Sequence, residues 1–484
     1  MMKKIINKTF ILVFALVLFG ACETIDYGDT NVDPSGPSAA VTSQLLTWAQ
    51  SYMPAILVNE QSILYMQHIT QGQYPGSSRY ETLTNDYSGF YTGPIQNLNK
   101  IIEINSDPDT AAEALAFGAT NNQLAVAKLV RAYMLQYMTD TWGDLPWTDA
   151  FQGIDNPQPT FDSQKSIYDF MFTEVDAALA LIQTSGAGPV GDVMFKGDMN
   201  KWISFGNSLK LTMAIRISHI DPSRAKLKLE QAYSSGTLPT TNSKNLLFNY
   251  GSDDASDSPW EDNFQTREDY IMSNTLIENL RSNLDPRLFE YAAPARDSIF
   301  GNPVFPGNTD AGYVGAPNGK VNGNVPYYSF ITSDIIYDPV YPSSIYTAAQ
   351  VWFTLAEAAS NGWNVGGVSA ADYYAGGIQA SMQFWGVSSS DATDYINAHP
   401  YSGIDDIAYE KWVALYLNGP ESWAEWRRLD SPSLTPSIYA SDQRIPVRSA
   451  YDPSVEDNNA ANYANVVSSQ GPDNLHTKLW WDVN

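Results

Sequence analysis

Few side chains in this sequence are spaced for catalysis. The four histidines, His68, His219, His399 and His476, make no H-E-x-x-H or comparable metal-binding pattern. A G-x-S-x-G elbow, a phosphate-cradling glycine loop and a dinucleotide fingerprint are all absent. The 53 acidic residues supply many carboxylate pairs of the kind that hydrolyse glycosides, but only the fold sets their separation. Asp253, Asp254 and Asp257, with Glu261 and Asp262 nearby, could ligate calcium. They lack the ligand spacing of an EF-hand loop, so they read as a solvated charged loop. No cofactor and no catalytic residue is expected.

What remains is binding. Sugars lay flat C–H faces on aromatic rings and need planar hydrogen-bonding groups for their hydroxyls. The stretch "YPGSSRYETLTNDYSGFYTGPIQN" supplies Tyr74, Arg79, Tyr80, Asn85, Asp86, Tyr87, Phe90 and Tyr91 between glycines. Rings in such a loop have less core to fill than rings on a helix stripe.

The elements that must position these loops are mostly helical. In "QLAVAKLVRAYMLQYMTDTWGDLPW", Val126, Val130, Tyr133, Tyr137 and Met138 recur at steps of three and four, and Gly143 and Pro146 end the helix. In "FDSQKSIYDFMFTEVDAALALI", Asp162 or Ser163 can cap, and Tyr168, Met171, Val175, Leu179 and Ile182 form one face. "DMNKWISFGNSLKLTMAIRIS" repeats the arrangement with Trp202, Phe205, Leu209 and Met213. From Tyr346 to Gly386, the spacing Trp352-x2-Leu355 followed by Ala370-x3-Tyr374 and Gly377 follows tetratricopeptide grammar, with small residues where two helices touch. Residues 236–345 differ: they are dense in Gly, Pro, Asn and Asp and show no sustained period. Their Trp and Tyr content argues against disorder, which makes the segment a functional loop region.

Cys22 is the single cysteine. Lys3, Lys4 and Lys8 precede about a dozen uncharged residues ending at Ala21, a run too short to span a bilayer but suited to a secretory signal peptide. A disulfide within the chain is impossible. A free thiol is one reading of Cys22; the sharper one is a bacterial lipobox, with Gly20 and Ala21 before a cysteine that becomes acylated, palmitate being a typical chain. Phe19 stands where Leu is usual. The expected organisation is a signal peptide at 1–21, a lipidated tether at 22–40 and a single domain at 41–484. Within the domain, a helical scaffold spans 41–235 and 346–430, and the irregular loop-rich part spans 236–345.

The formal charge of −26 makes nucleic acid and anionic lipid surfaces poor partners, because both are held by Lys and Arg. With 44% hydrophobic residues, the chain can bury one or two substantial cores.

Together these segments resemble the SusD/RagB family of outer-membrane nutrient-binding lipoproteins, particularly its SusD-like branch. The matching stretches include "LVRAYMLQYMTDTWGDLPWTDAF", "GDMNKWISFGNSLKLTMAIR", "LDPRLFEY", "VWFTLAEAASNGW", "YYAGGIQASMQFWG", "YEKWVALYLNGPESWAEWRRLDSP", "RIPVRSAYDPS" and "LHTKLWWD", in order along nearly the whole chain after residue 40. The resemblance implies a mostly α-helical fold: a tetratricopeptide-like scaffold of helical pairs, an α-α superhelix, with an irregular loop-rich ligand-binding part. It also implies a lipid-anchored protein on the outer membrane that serves a SusC-like TonB-dependent transporter and binds an oligosaccharide or polysaccharide, or in some members a peptide. Ligand contacts would then come from the early loop, through Arg79, Tyr80, Tyr87 and Tyr91, and from the middle region, through Trp260, Tyr313, Tyr327 and Tyr328. Trp202 and Trp412 would be structural, and Arg427 and Arg428 would pair with carboxylates. A peptide-binding importer subunit, a lipid-anchored hydrolase and a purely structural adaptor stay open as other readings.

Overall fold

A computed structural model describes residues 40–296, 312–322 and 325–484; Cys22 and the signal segment 1–21 lie outside them. Helices form where the apolar period is 3.6. Thr120–Trp142 buries Val126, Val130, Tyr133 and Met138, and it ends at Gly143, whose φ of +90° is open to glycine. Ser163 caps Gln164–Leu181 by accepting from the Ser166 N–H at 3.2 Å. Asp162 instead accepts from the Trp147 and Thr148 N–H groups at 3.1 and 2.8 Å. Asp198 caps Met199–Arg216, whose Trp202, Phe205, Leu209 and Met213 are fully buried.

Successive helices pack as pairs: Thr120–Trp142 with Gln164–Leu181, Met199–Arg216 with Pro222–Ser234, Ala348–Ser360 with Ala370–Phe384, and Ile404–Ala414 with Gly419–Leu429. The third pair shows why small residues are needed at the crossing. A Cβ on Gly376 would lie 2.7 Å from the Trp352 ring, and one on Gly377 would lie 2.6 Å from the Phe353 ring. The chain is thus mostly α, with tetratricopeptide-like helical pairs, as the spacing predicts.

The apolar side chains divide into two cores. One fills the scaffold around Trp142, Tyr168, Trp202, Phe205 and Phe353. The second lies under the irregular region, where Ile69, Ile271, Met272, Tyr291 and Ile331 meet Trp412 and Trp423. Among the described residues, three two-stranded antiparallel sheets tie loops to the body. Ile69–Gln71 pairs with Tyr270–Met272, Leu145–Pro146 with Phe161–Asp162, and Leu246–Phe248 with Ser343–Tyr346.

Three features depart from the sequence reading. The middle region holds short helices, of which Asn274–Ser282 buries Leu276, Ile277 and Leu280; nine residues are too few for a period to stand out. A further helix, Pro453–Gln470, buries only Asn459 and Val466, so it carries almost no apolar stripe. Arg428 does pair with Glu357 and Glu425. Arg427, by contrast, donates to the carbonyls of Trp423, Asp140 and Val447 at 3.1, 2.7 and 2.9 Å and lies on the Trp423 ring.

Gly377→Ala is expected to destabilise the protein by about 1–3 kcal/mol through overpacking, although alanine is favoured in a helix by up to about 1 kcal/mol. Chemical denaturation measures it, and an unchanged midpoint would show that the two helices can move apart. His68 supplies a pH signature. Its ring is fully buried, Nε2 lies 3.0 Å from the Trp412 carbonyl, and burial lowers its pKa from 6.5 to about 3. The unfolded chain therefore binds the proton first. Stability is present above about pH 6.5 and is lost as pH falls towards the folded value. Between pH 6 and pH 5 the wild type is expected to lose about 1 kcal/mol more than His68→Gln; parallel pH profiles for the two would contradict this.

Candidate functional site

The early loop does not stand alone. Its strand Ile69–Gln71 is hydrogen-bonded to Tyr270–Met272, and the chain beyond continues the join. The Gly72 N–H donates to the Asp269 carbonyl at 2.7 Å, and the Asn322 N–H donates to the Gly72 carbonyl at 2.8 Å. Arg79 Nε donates to the Gly319 carbonyl at 2.7 Å, while the Gly319 N–H donates to Thr70 Oγ1 at 3.1 Å. Residues far apart in sequence thus form one face over the second core.

Arg79 is half-buried on this face, and among the described residues its terminal nitrogens have no partner. Tyr80 lies beneath it in the left-handed region, at φ 62°. Its ring is 4% exposed, against Tyr65, and its hydroxyl accepts from the Ser437 N–H at 3.2 Å. Burial holds its phenol above the ordinary value, so it stays a neutral support. Trp260 is 3% exposed in the second core, edge-on to Tyr270. Both ring faces are covered by the packing that its place in the amphipathic helix Pro259–Phe264 demands.

Tyr313, Tyr327 and Tyr328 are half-buried in the adjoining segments. Tyr313 meets Phe289 edge-on at 5.3 Å, and its carbonyl accepts from Arg281. The exchange between Val314 and Ser329, at 2.7 Å from the Ser329 N–H and 3.0 Å from the Val314 N–H to Ser329 Oγ, sets the strand of chain bearing Tyr313 beside that bearing Tyr328.

The most exposed ring of the face is Tyr74, at 66%. The Arg267 guanidinium lies 5.2 Å from its centroid and is steadied by Asp269 at 2.7 Å. Lys320, Val321, Ile438 and Tyr439 extend the exposed surface on the neighbouring loops. Arg267 was invisible to sequence reasoning, because its partner lies almost 200 residues earlier and the joining strands are three residues long.

Tyr87 and Tyr91 belong elsewhere. Their rings, 5.6 Å apart, pack against the scaffold core beside Trp142 and Tyr451 and line a separate open groove. Burial raises both phenols. Asp254, Asp257 and Asp262 bring carboxylate oxygens within 4.8 Å of one another; partial desolvation and the neighbouring carboxylates raise Asp257 and Asp262. Asp253 serves the same loop through its carbonyl, which accepts from the Ser256 N–H at 2.8 Å. This is a cluster of like charges.

Among the described residues no helix is long and apolar enough to cross a membrane. A family model described as "Starch-binding associating with outer membrane" matches residues 34–452. The fold is similar to that of a chitin-binding protein, with a TM-score of 0.78 and 26% identity over 92% of this chain and 100% of that one. A SusD homologue from Bacteroides fragilis superposes with a TM-score of 0.76 at 22% identity, covering 91% and 100% of the two chains. A chitin-binding SusD homologue from Flavobacterium johnsoniae gives 0.72 at 22% identity, covering 92% and 97%. No curated protein sequence matches the chain. With the family model spanning most of its length and SusD homologues sharing its fold, the chain belongs to the SusD-like family, described as starch-binding and associated with the outer membrane.

Proposed function

We propose that this protein is a cell-surface lipoprotein that captures an oligosaccharide or polysaccharide and delivers it to a SusC-like TonB-dependent transporter. The observation that carries this reading is the face on which the early loop and the middle region are knitted together. It presents an exposed tyrosine ring with a guanidinium beside it, and Arg79 nearby, which is the combination of flat apolar surface and planar donors that sugars need. The family's description as starch-binding and the chitin-binding protein at 26% identity support a glycan. Its role is binding without turnover. Of the residues singled out by sequence, Arg79, Tyr313, Tyr327 and Tyr328 are assigned to ligand contact, and Tyr80 and Trp260 to support beneath it.

The anchor completes the assignment. Residues 1–21 are removed, Cys22 is acylated, 22–40 serve as a tether and 41–484 form the binding domain. One acyl chain holds a protein only reversibly, whereas two or more attach it stably.

Isothermal calorimetry or affinity electrophoresis across neutral polysaccharides, starch and chitin oligomers included, is expected to find a ligand. Tyr74→Ala and Arg267→Ala should each weaken it by about fivefold to tenfold, in line with the worth of an aromatic or cation–π contact. A protein that binds no sugar yet holds basic peptides in a salt-sensitive way would overturn the glycan reading in favour of peptide import. Membrane fractionation tests the anchor: wild type should sediment with outer membranes, and Cys22→Ser should be released. Wild type recovered wholly in the soluble fraction would refute acylation at Cys22.

A further inference from the structure

The groove lined by Tyr87 and Tyr91 lies against the scaffold core, apart from the face just described, and it opens to solvent. We propose that it is a second ligand site, built for an uncharged glycan; this rests on the glycan-capturing role proposed above.

Its floor is aromatic. Phe151 stacks on Tyr91 with centroids 5.4 Å apart and 26° between planes, and Phe161 extends the apolar surface towards Tyr451. Its rim is carboxamide. Gln96 and Asn458 line it with side chains that have no protein partner among the described residues, while the Asn156 and Asn459 amides are held by the carbonyls of Asp149 and Pro159 at 3.1 and 2.7 Å. Flat rings below and planar donor–acceptor groups above form the pairing that a pyranose uses.

Charge decides between occupants. In a chain with 53 acidic and 27 basic residues, none of the groove's lining residues is charged, and none is histidine. An acidic polysaccharide would find no cation in the lining and would face Asp86, Asp452 and Asp473, whose charges already act on the Tyr87 phenol. The tyrosines do not supply charge either, because burial keeps both phenols protonated and the Tyr91 hydroxyl donates to the Pro146 carbonyl at 2.5 Å.

Two backbone irregularities coincide with the groove. The helical path through Tyr91–Ile95 is kinked at Gly93, whose backbone is non-helical and which precedes Pro94. Phe151 adopts φ 66° while 36% of its surface is exposed. A bulky residue in the left-handed region is strained, and here the strain sets a large ring over the groove instead of folding it away.

The test uses the full chain, with maltohexaose and N-acetylchitohexaose as neutral probes and polygalacturonate and a proline-rich basic peptide as charged ones. Phe151→Gly removes the ring and keeps a residue suited to φ 66°; Asn458→Ala removes an exposed amide, and Asn458→Asp adds a charge at nearly constant shape. Neutral-probe affinity is expected to fall by about tenfold in Phe151→Gly and to fall in both Asn458 variants, with unchanged thermal midpoints. It should be insensitive to salt between 50 and 500 mM, as a neutral contact must be. Groove variants that bind neutral probes like wild type, while Tyr74→Ala loses them, would overturn this second site and leave the family reading standing. Loss of the peptide or the polygalacturonate in place of the neutral probes would also overturn it. A wild type that binds no neutral glycan at all would instead remove the function proposed above.

Discussion

The scaffold depends on a set of charges buried where the helix pairs meet. Arg216, fully buried, faces Glu421 at 2.8 Å, Glu425 at 3.4 Å and Asp140 at 3.5 Å. Arg428 grips Glu357 through both terminal nitrogens, at 2.5 and 2.6 Å, and reaches Glu425 at 2.6 Å. Lys411 adds a contact to Glu425 at 2.7 Å. These residues come from five helices, from Thr120–Trp142 to Gly419–Leu429. Charges withdrawn from water are costly unless each finds a partner, and removing one partner leaves the others uncompensated. The helices are therefore restricted to the one arrangement in which every charge is met. Burial alone would raise Glu425, yet Arg428, Lys411 and Arg216 together pull it well below the usual carboxylate range. At Asp140 and Glu421 burial outweighs Arg216 and raises the carboxyl. Glu425 is thus the anionic centre on which the cations converge.

From this centre, rigidity passes to the loops through tryptophans and a second ion group. Trp412 Nε1 donates to the Met66 carbonyl at 3.0 Å, just before the early strand, and Trp423 Nε1 donates to the Pro446 carbonyl at 2.8 Å. Glu410, one residue before Lys411, meets the fully buried Arg287 at 2.7 Å, and Asp285 meets the same guanidinium at 2.6 Å. Arg287 opens the helix Leu288–Tyr291, which underlies the chain carrying Tyr313 and Tyr328. A binding face needs its contacting groups held by packed and hydrogen-bonded neighbours. Here the irregular half obtains that support from the helices and not from regular structure of its own.

The same division explains what could be read from sequence. Val126, Val130 and Met138, or Trp202 and Phe205, repeat at helical spacing and form helices because their stripe has a core to cover. Gly377 declared a close crossing because only a residue without Cβ fits against Phe353. The helix Pro453–Gln470 was illegible because it buries so little. For the candidate site, composition marked ring-rich segments without separating rings left at the surface from rings turned to the core. Tyr80 is turned inward by its left-handed backbone, and Trp260 by the amphipathic turn that carries it. Arg427 and Arg428 are neighbours with the same chemistry, yet 100° of helix rotation sends one to carbonyls and the other to carboxylates. Contacts such as Arg267 on Tyr74 exist only after folding.

The two surfaces also differ in electrostatic character, and the difference follows from what lies beneath them. The loop-borne face stands over the second core; it can carry Arg79, Arg267 and Lys320 because long side chains of this kind lay their stems on apolar surface while their charges stay in water. The groove stands on the scaffold core, where Tyr87 packs against Trp142 and Tyr451, and its lining offers an anion no cationic partner. An acidic protein can hold neutral polymers at both places without electrostatic cost. Binding by stacked rings and amides is weak for each sugar unit, and its strength grows with the number of units engaged at once. Two surfaces of modest affinity suit a long polysaccharide better than one tight pocket would, because a polymer held at two points is retained, whereas either point alone can let go when the chain has to move on.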